Sequence, residues 1–340
     1  MKASRNLEAF LVERMKFLTE IKIGPNDDGQ RADRFLRKYL SKAGKGFIYK
    51  MIRKKNIKLN GKRFRPEDFI KEGDTMQLYF SDETLAKFTE SEEEIMKKID
   101  LDIVYEDENI VIIDKPAGML SHSANGDYSE KDAVSGIVAY LHAKGDYNPR
   151  KEKTFRPSIC NRLDRNTSGL LIGAKNYEAL KEINDAIRNR SVGKYYKTVV
   201  KGKLEKEMHL KGYMTKDENR NRVFITEEKK HEDDREVETK IRPLKTSSGY
   251  SLIEIDLITG RTHQIRAHLS YEGYPVAGDR KYGNKRVNSE FKEKYGLENQ
   301  LLHASRLEFD GLEGELSYLN GKTVEAEDSS ILSNIEKDLF

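Results

Sequence analysis

Disulfide chemistry is closed to this chain: among its 340 residues only Cys160 is a cysteine, so no intrachain bridge can form. That suits a reducing compartment, and the cytoplasm is the expected location. Long apolar runs are also missing. No stretch approaches the roughly 18 consecutive apolar residues a spanning helix requires, so no membrane association is expected. The opening segment MKASRNLEAFLVERMKF breaks its apolar residues with charges and does not read as a signal peptide. There is no phosphate-cradling loop and no GxGxxG. Zinc-type spacing is lacking because Cys160 stands alone, and a lone cysteine beside Asn161 reads as a small apolar packer rather than a hydrolase nucleophile. Trp is absent, which excludes nothing.

Charge is plentiful, at 35% of residues against 36% hydrophobic, which leaves a folded core under a heavily charged surface. The net charge of +4 hides an uneven distribution. Residues 1–80 carry 20 Lys/Arg against 10 Asp/Glu, and the rest carries 42 against 48. A basic module therefore precedes a mildly acidic body. A concentrated positive field favours a polyanion, RNA being the commonest, although a solvated lysine-rich surface would look the same. The length suits two domains.

Along the chain, 17–23 reads as a short strand. Asp28 is placed to cap a helix with Ala32, Phe35, Leu36, Tyr39 and Leu40 on one stripe, ended by Gly44 or Gly46. A second helix, FIYKMIRKKN, turns Ile48, Met51 and Ile52 inward and Lys50, Arg53, Lys54 and Lys55 outward. Asn60-Gly61 signals a tight hairpin after Ile57 and Leu59, and Ile70–Phe80 adds a turn at Gly73-Asp74 and a strand. Residues 81–100 are acidic and read as a linker. Two strands then flank Glu106–Asn109, and the unbroken apolar run Ile110–Ile113 predicts burial on both faces. Further on, 132–142 reads as a helix, 146–157 as a loop, 169–174 as a buried strand, and Asn176 as the start of a helix with Leu180, Ile183 and Ile187 inward. Strands are expected over 194–200, 250–258 and 301–309, and a helix over 262–270. The charged stretch 204–235 reads as an irregular insertion. This mixed order of strands and helices predicts an α+β fold.

Three constellations carry chemical interest. In Arg162-Leu163-Asp164-Arg165-Asn166-Thr167-Ser168-Gly169, positive neighbours favour the charged form of the carboxylate, and such an Asp can act as a nucleophile. A turn-capping Asp with its arginines in ion pairs is the structural alternative. In Gly260-Arg261-Thr262-His263-Gln264-Ile265-Arg266-Ala267-His268, two histidines five apart share a helix face poorly and HExxH is absent, so no metal is expected; Arg266 is the candidate partner of a catalytic carboxylate. In the strand Lys194–Val200, Tyr195 and Tyr196 must point to opposite faces, one packing and the other reaching a pocket.

Taken together, residues 17–310 resemble the RluA-type family of RNA pseudouridine synthases. ICNRLDRNTSGLLI is similar to the family's catalytic motif, with Asp164 at the aspartate position, and LDIVYEDENIVIIDKPAGML resembles the stretch that opens the catalytic domain. GRTHQIRAHLSYEGYPVAGDRKYG is similar to the motif bearing the site arginine, here Arg266. GKYYKTVVKG resembles the strand of the active-site tyrosine, which falls on Tyr196, and LLHASRLEF resembles the late motif. Residues 17–80 resemble the small RNA-binding module named after ribosomal protein S-four. Asn161 replaces the His many relatives carry, and Asp310-Gly311 replaces His-Pro; both lie beside the core chemistry.

The resemblance implies a catalytic domain on a mixed, largely antiparallel sheet with flanking helices over 101–325, a small α+β RNA-binding domain over 17–80, an N-terminal extension 1–16, a linker 81–100 and a tail 326–340. It implies isomerisation of uridine to pseudouridine in large-subunit ribosomal RNA, or else transfer RNA, by a monomer that needs no cofactor or metal. Asp164, Tyr196 and Arg266 would be catalytic; Arg162, Arg165, Arg261, His263, Gln264, Lys50, Arg53, Lys54 and Lys55 would meet RNA. Asp164 would attack either the anomeric carbon or carbon 6 of the base. Two rivals remain: a non-catalytic RNA-binding or ribosome-assembly protein, and a glycosidase, which would need a second carboxylate that cannot be located.

Overall fold

The computed structural model describes residues 18–89, 99–123, 132–148, 155–217 and 222–340. The chain divides into two units: Met1–Ile99 with Ser135–Ser158 and Lys175–Glu178, and Asp100–Val134 with Ile159–Ala174 and Ala179–Phe340. The expected extension 1–16 lies outside the described residues, as do 90–98 of the expected linker and 149–154 of the expected loop.

In the first unit β1 (Leu18–Lys22), β2 (Ile57–Leu59) and β3 (Thr75–Tyr79) form an antiparallel sheet in the order β1-β3-β2. Helices α1 (Ala32–Tyr39) and α2 (Lys45–Arg53) supply Phe35, Leu36 and Ile48 to a core that also holds Ile70, Met76 and Leu78, all fully buried. Two local expectations are corrected and a third, the Asn60-Gly61 turn, is met over a single bridge. Asp28 does not cap α1; its carboxylate accepts the Glu72 N–H, and the N-cap residue is Arg31, whose guanidinium forks onto Asp33 at 3.0 Å. Gly44 and Gly46 do not end α1, which stops at Leu40; Gly44 is the N-cap of α2 and Gly46 lies inside it. Asn60 and Gly61 do adopt positive φ, of 49° and 73°, but that turn closes only a Leu59–Lys62 bridge, and the ladder partner of β2 is β3. Residues 82–88 of the expected linker form α3 (Asp82–Phe88), capped by the Ser81 hydroxyl.

The second unit is built on an eleven-stranded sheet. In chain order its strands are β4 (Asp102–Glu106), β5 (Ile110–Lys115), β6 (Ser158–Ile159), β7 (Ser168–Ala174), β8 (Val192–Lys201), β9 (Met208–Asp217), β10 (Arg222–Thr226), β11 (Arg235–Thr246), β12 (Tyr250–Leu257), β13 (Leu302–Phe309) and β14 (Thr323–Glu325). The spatial order is β10-β9-β11-β12-β8-β13-β7-β5-β4, with β14 beside β13 and β6 beside β7. Among these strands β13 and β7 run parallel and the other central pairs antiparallel, so the sheet is mixed and largely antiparallel, as expected. The described residues of the charged stretch 204–235 are largely strand rather than irregular. They hold β9, β10 and the first residue of β11, and the inward residues Leu210, Val223 and Ile225 lie beside exposed ones. Of the remaining helices, α4 (Ala133–Lys144) falls mostly in the first unit, while α5 (Tyr177–Arg188) from Ala179 onward, α6 (Gln264–Tyr271), α7 (Lys285–Tyr295) and α8 (Ser330–Leu339) belong to the second.

Side chains Ile112, Leu170, Ile172, Ile183, Phe309 and Leu319 fill one core over this sheet. A second core gathers Val199, Leu252, Phe291, Leu332 and Ile335. Leu332 and Ile335 belong to α8, so the last residues, expected as a tail, are packed into the body.

Where β7 meets β13, Ser168 pairs with His303 and Gly169 with Ala304. Gly169 has φ +109°, and an added Cβ would collide with the Ala304 carbonyl oxygen. This close approach sets the exit of the loop that carries Asp164. Gly169→Ala is expected to cost about 3 kcal/mol or more, since strain and a backbone clash add; a denaturation midpoint equal to wild type would show that the crossing relaxes freely.

Candidate active site

Asp164 sits on the loop between β6 and β7, and every turn of that loop is tied down. Asn161 clamps it to β7: its Oδ1 accepts Ile172 N–H at 2.8 Å and its Nδ2 donates to Leu170 O at 3.3 Å. Ser121 Oγ donates to Leu163 O at 2.7 Å and accepts Leu163 N–H at 3.0 Å. Thr167 N–H closes a turn onto Asp164 O at 3.0 Å. The fully buried Lys115, at the end of β5, spends its ammonium on three carbonyls: Met119 O at 2.9 Å, Pro116 O at 3.0 Å and Arg165 O at 3.2 Å. Burial lowers its pKa to about 8, although Asp164 and Asp114 pull it back up. A positive pin that meets no carboxylate among the described residues therefore joins the β5 loop to the loop of Asp164.

The cationic side of the site comes from α6. Arg266, 6% exposed, donates from one terminal nitrogen to Asp164 Oδ2 at 2.8 Å. Its Nε and other terminal nitrogen fork onto Asp279 at 2.6 and 3.0 Å. Burial would raise the Asp279 carboxyl, but Arg266 and the backbone N–H groups of Lys281 and Tyr282 outweigh it and hold it below the usual range. Burial likewise works against the Arg266 charge, and the two carboxylates outweigh it and raise its pKa. The guanidinium is thus aimed at Asp164 by a carboxylate that never reaches solvent.

A cavity of about 130 Å³ opens at this pair. Its lining includes Asp164, Tyr196, His263, Arg266, Leu257 and Leu302. The β8 alternation resolves the tyrosines as the strand period requires. Tyr196, 5% exposed, lines the cavity, and Tyr195 lies on the other face beneath Arg306, whose guanidinium carbon is 3.8 Å from the ring centre. Burial, then the charge of Asp164, pushes the Tyr196 phenol well up, so it remains a neutral hydroxyl.

The structure sorts the other residues singled out in the sequence. Arg162 and Arg261 line the cavity mouth. Arg165 is exposed, with its Nε on Gly118 O at 3.2 Å. It is Arg266, 102 positions away, and not a neighbour in sequence, that pairs with Asp164. Gln264 departs from the expected RNA contact: it is 2% exposed, and its amide is consumed by Thr239 Oγ1, Glu238 O, Thr259 Oγ1 and Arg261 N. Burial holds His268 at about 4, with Nδ1 on Thr239, so it is a neutral core residue. Lys50, Arg53, Lys54 and Lys55 are all exposed around the end of α2. Beside them a groove of about 530 Å³ holds Arg63, Arg65, Tyr49 and Phe64. Sequence reading missed Lys115, Ser121 and Asp279. The signal for Lys115 was a lysine closing a run buried on both faces; Asp279 was visible only as part of GDRKYG.

Asp164, Arg266 and Tyr196, far apart in sequence, thus meet at one cleft on this mixed sheet. Residues 109–271 match the RNA pseudouridylate synthase family. The chain is 31% identical over 289 residues to ribosomal large subunit pseudouridine synthase C of Vibrio cholerae, covering 83% of this chain and 85% of that protein. It is 30% identical over 304 residues to the protein of the same name from Escherichia coli K12, covering 85% and 88%. Human RNA pseudouridylate synthase domain containing 4 shares the fold, with a TM-score of 0.54 at 19% identity over 69% of this chain and 92% of that one. The chain belongs to the RluA-type family of RNA pseudouridine synthases, and it is an isomerase that acts on RNA. No helix among the described residues is long and apolar enough to cross a membrane.

Proposed function

We propose that this enzyme converts specific uridines of large-subunit ribosomal RNA to pseudouridine, with Asp164 as nucleophile. The observation that carries the residue assignment is the 2.8 Å contact between Arg266 and Asp164 at the wall of the cavity that Tyr196 lines. The ribosomal substrate is supported by the names of the relatives, which match over most of their length.

The chemistry breaks the bond between the anomeric carbon and N1 and forms one between the anomeric carbon and carbon 5. Carbon 5 gives up its proton and N1 gains one, so no electrons are exchanged with a redox partner. The target base first leaves its stack at a cost of a few kcal/mol, offset by phosphate contacts. Asp164, turned toward the cavity by Arg266, attacks the nucleotide; attack at the anomeric carbon or at carbon 6 starts from this same carboxylate. Tyr196 stays protonated and packs beside the detached base while it turns, its hydroxyl offering a hydrogen bond. Arg266 keeps the carboxylate charge compensated with water excluded. Arg162, Arg165 and Arg261 contact backbone phosphates at the mouth, and Gln264 braces the loop behind them.

Residues 17–80 act as a separate RNA-binding module ahead of a catalytic domain over 101–325, and the protein works as a cytoplasmic monomer. The excess of basic residues in 1–80 supports the first reading. Replacing Lys50, Arg53, Lys54 and Lys55 together by Ala is expected to lower the log–log salt slope of RNA binding by about one for every phosphate these side chains neutralise. An unchanged slope would show that this face meets no phosphate. Mapping pseudouridine across total RNA, with and without the protein, tests the substrate. Sites missing from large-subunit ribosomal RNA are expected; sites missing only from transfer RNA would overturn the reading.

A further inference from the structure

Three groups stand in line behind the nucleophile. Val223 N–H, on β10, donates to the Tyr282 hydroxyl oxygen at 2.9 Å. That hydroxyl is 3.3 Å from His263 Nδ1. His263 Nε2 is in turn 3.8 Å from Asp164 Oδ2. The imidazole is fixed by more than these contacts. Its edge meets the Tyr282 ring at a centroid distance of 5.7 Å and an angle of 67°. Its backbone is held at φ 60°, a left-handed conformation unusual for a non-glycine residue, at the N-cap of α6. The Tyr282 ring itself is met by Arg266 and Arg222, whose guanidinium carbons are 5.3 and 5.4 Å from its centre.

The direction of the hydrogen bonds follows from what each atom has left to give. The Tyr282 oxygen already accepts from Val223, so its own proton needs an acceptor, and His263 Nδ1 supplies one. An imidazole accepting at Nδ1 carries its proton on Nε2. The opposite tautomer would set the Nε2 lone pair against the Asp164 carboxylate and bring a second donor to the Tyr282 oxygen.

We propose that His263 is a positioning residue for Asp164: the relay Val223 N–H to Tyr282 O–H to His263 Nδ1 fixes the tautomer whose Nε2–H faces the carboxylate. The proposal rests on Asp164 being the nucleophile. A neutral donor aims the carboxylate without adding a second ion pair to the one from Arg266. The 3.8 Å separation closes to a hydrogen bond once the base fills the cavity and water leaves. Protonated, His263 would bind Asp164 as a full ion pair and blunt it. The groups facing the ring are Asp164, Asp279, Arg266, Lys281 and Tyr282. Burial, the largest influence, keeps the imidazole below its ordinary value of 6.5, and Arg266 and Lys281 add to this against the two carboxylates. The neutral donor is therefore the form present at neutral pH, and acid removes it.

The test is the single-turnover rate at saturating ribosomal RNA, followed against pH in the full-length protein. Wild type should lose rate on acidification below pH 6.5, the ordinary imidazole value. His263→Ala should be about tenfold slower at neutral pH, and His263→Gln, which keeps an N–H but cannot titrate, should recover most of that loss and show no acid limb over the same range. Tyr282→Phe removes a bond to the neutral form, so its acid limb should move to higher pH. An acid limb in His263→Gln matching wild type would overturn the proposal. If His263→Gln does not fold, the Tyr282→Phe profile decides, an unmoved limb being the refutation. Nitrogen NMR of histidine-labelled wild type gives an independent reading: a proton on Nδ1 of His263 overturns the relay. Turnover surviving in Asp164→Asn would instead remove the nucleophile reading on which the relay rests, so the two failures are distinct.

Discussion

Asp164→Asn is expected to abolish turnover, by on the order of 10⁴-fold or more, while RNA affinity stays within a few-fold of wild type. The substitution preserves the shape of the side chain and removes only the charge that attacks. The surrounding structure has little reason to collapse. Arg266 keeps its two bonds to Asp279, and the loop keeps Ser121, Asn161 and Lys115, none of which uses the Asp164 carboxylate. The side chain is about a quarter exposed to the cavity, so an amide there is solvated in the free enzyme. Affinity should persist because Arg162, Arg165 and Arg261 are untouched. The reaction expels the hydrogen on carbon 5, so release of tritium from RNA labelled at that position gives the rate, and filter binding gives the affinity. Tritium release at the wild-type rate would remove Asp164 from the chemistry. Equal loss of rate and affinity would assign it to RNA binding instead.

The chain disclosed this site unevenly. What depends on local period was readable. The unbroken Ile110–Ile113 run is buried on both faces, and Tyr195 and Tyr196 point apart because a strand has a period of two. The three residues that meet at the cavity were readable only through motif likeness, since no periodicity relates Asp164 to Tyr196 or Arg266. Their meeting depends on sheet order, which places β12 and β13 on either side of β8. The stretch 204–235 misled because its charges outweigh its pattern: Leu210 turns inward on β9 between the exposed His209 and Lys211, and Val223 and Ile225 turn inward on β10, yet the exposed glutamates and lysines of 227–230 that follow suggest a solvated loop. Asp28 and Gly44 misled for a different reason. Each is a good helix-terminus residue, but the Asp28 carboxylate accepts Glu72 N–H, 44 positions away, and Gly44 serves the start of α2 rather than the end of α1. The role of Asp279 was not legible within GDRKYG because it lies in a partner 13 residues away and in complete exclusion from water.

That excluded carboxylate makes Arg266 the residue whose loss should cost both stability and rate. Arg266→Ala leaves Asp279, 0% exposed, without its bidentate partner, and breaking a buried pair from one side commonly costs about 3–5 kcal/mol. The pH dependence gives the sign. In wild type the Asp279 pKa lies below 3.8, so the pair's contribution is complete above that value and disappears only as pH falls through the lower folded one. Without Arg266 the desolvation of Asp279, already the largest influence on it, is no longer outweighed, and its folded pKa moves above the unfolded one. The deficit of the variant should therefore be greatest at neutral pH and shrink on acidification, as Asp279 takes up a proton inside the fold. Adding Asp279→Asn to Arg266→Ala should recover part of the loss at neutral pH, since no buried charge then remains. Arg266→Lys should not restore activity, because a single ammonium cannot fork onto Asp279 and still reach Asp164. Turnover in Arg266→Ala should fall by about 10²–10³-fold, the scale of removing one preorganised charged donor. Urea denaturation of wild type, single and double variants from about pH 7 down to about pH 5 decides the matter. A deficit that is small and independent of pH, with the defect confined to RNA affinity, would make Arg266 a phosphate contact and leave Asp164 without its orienting cation.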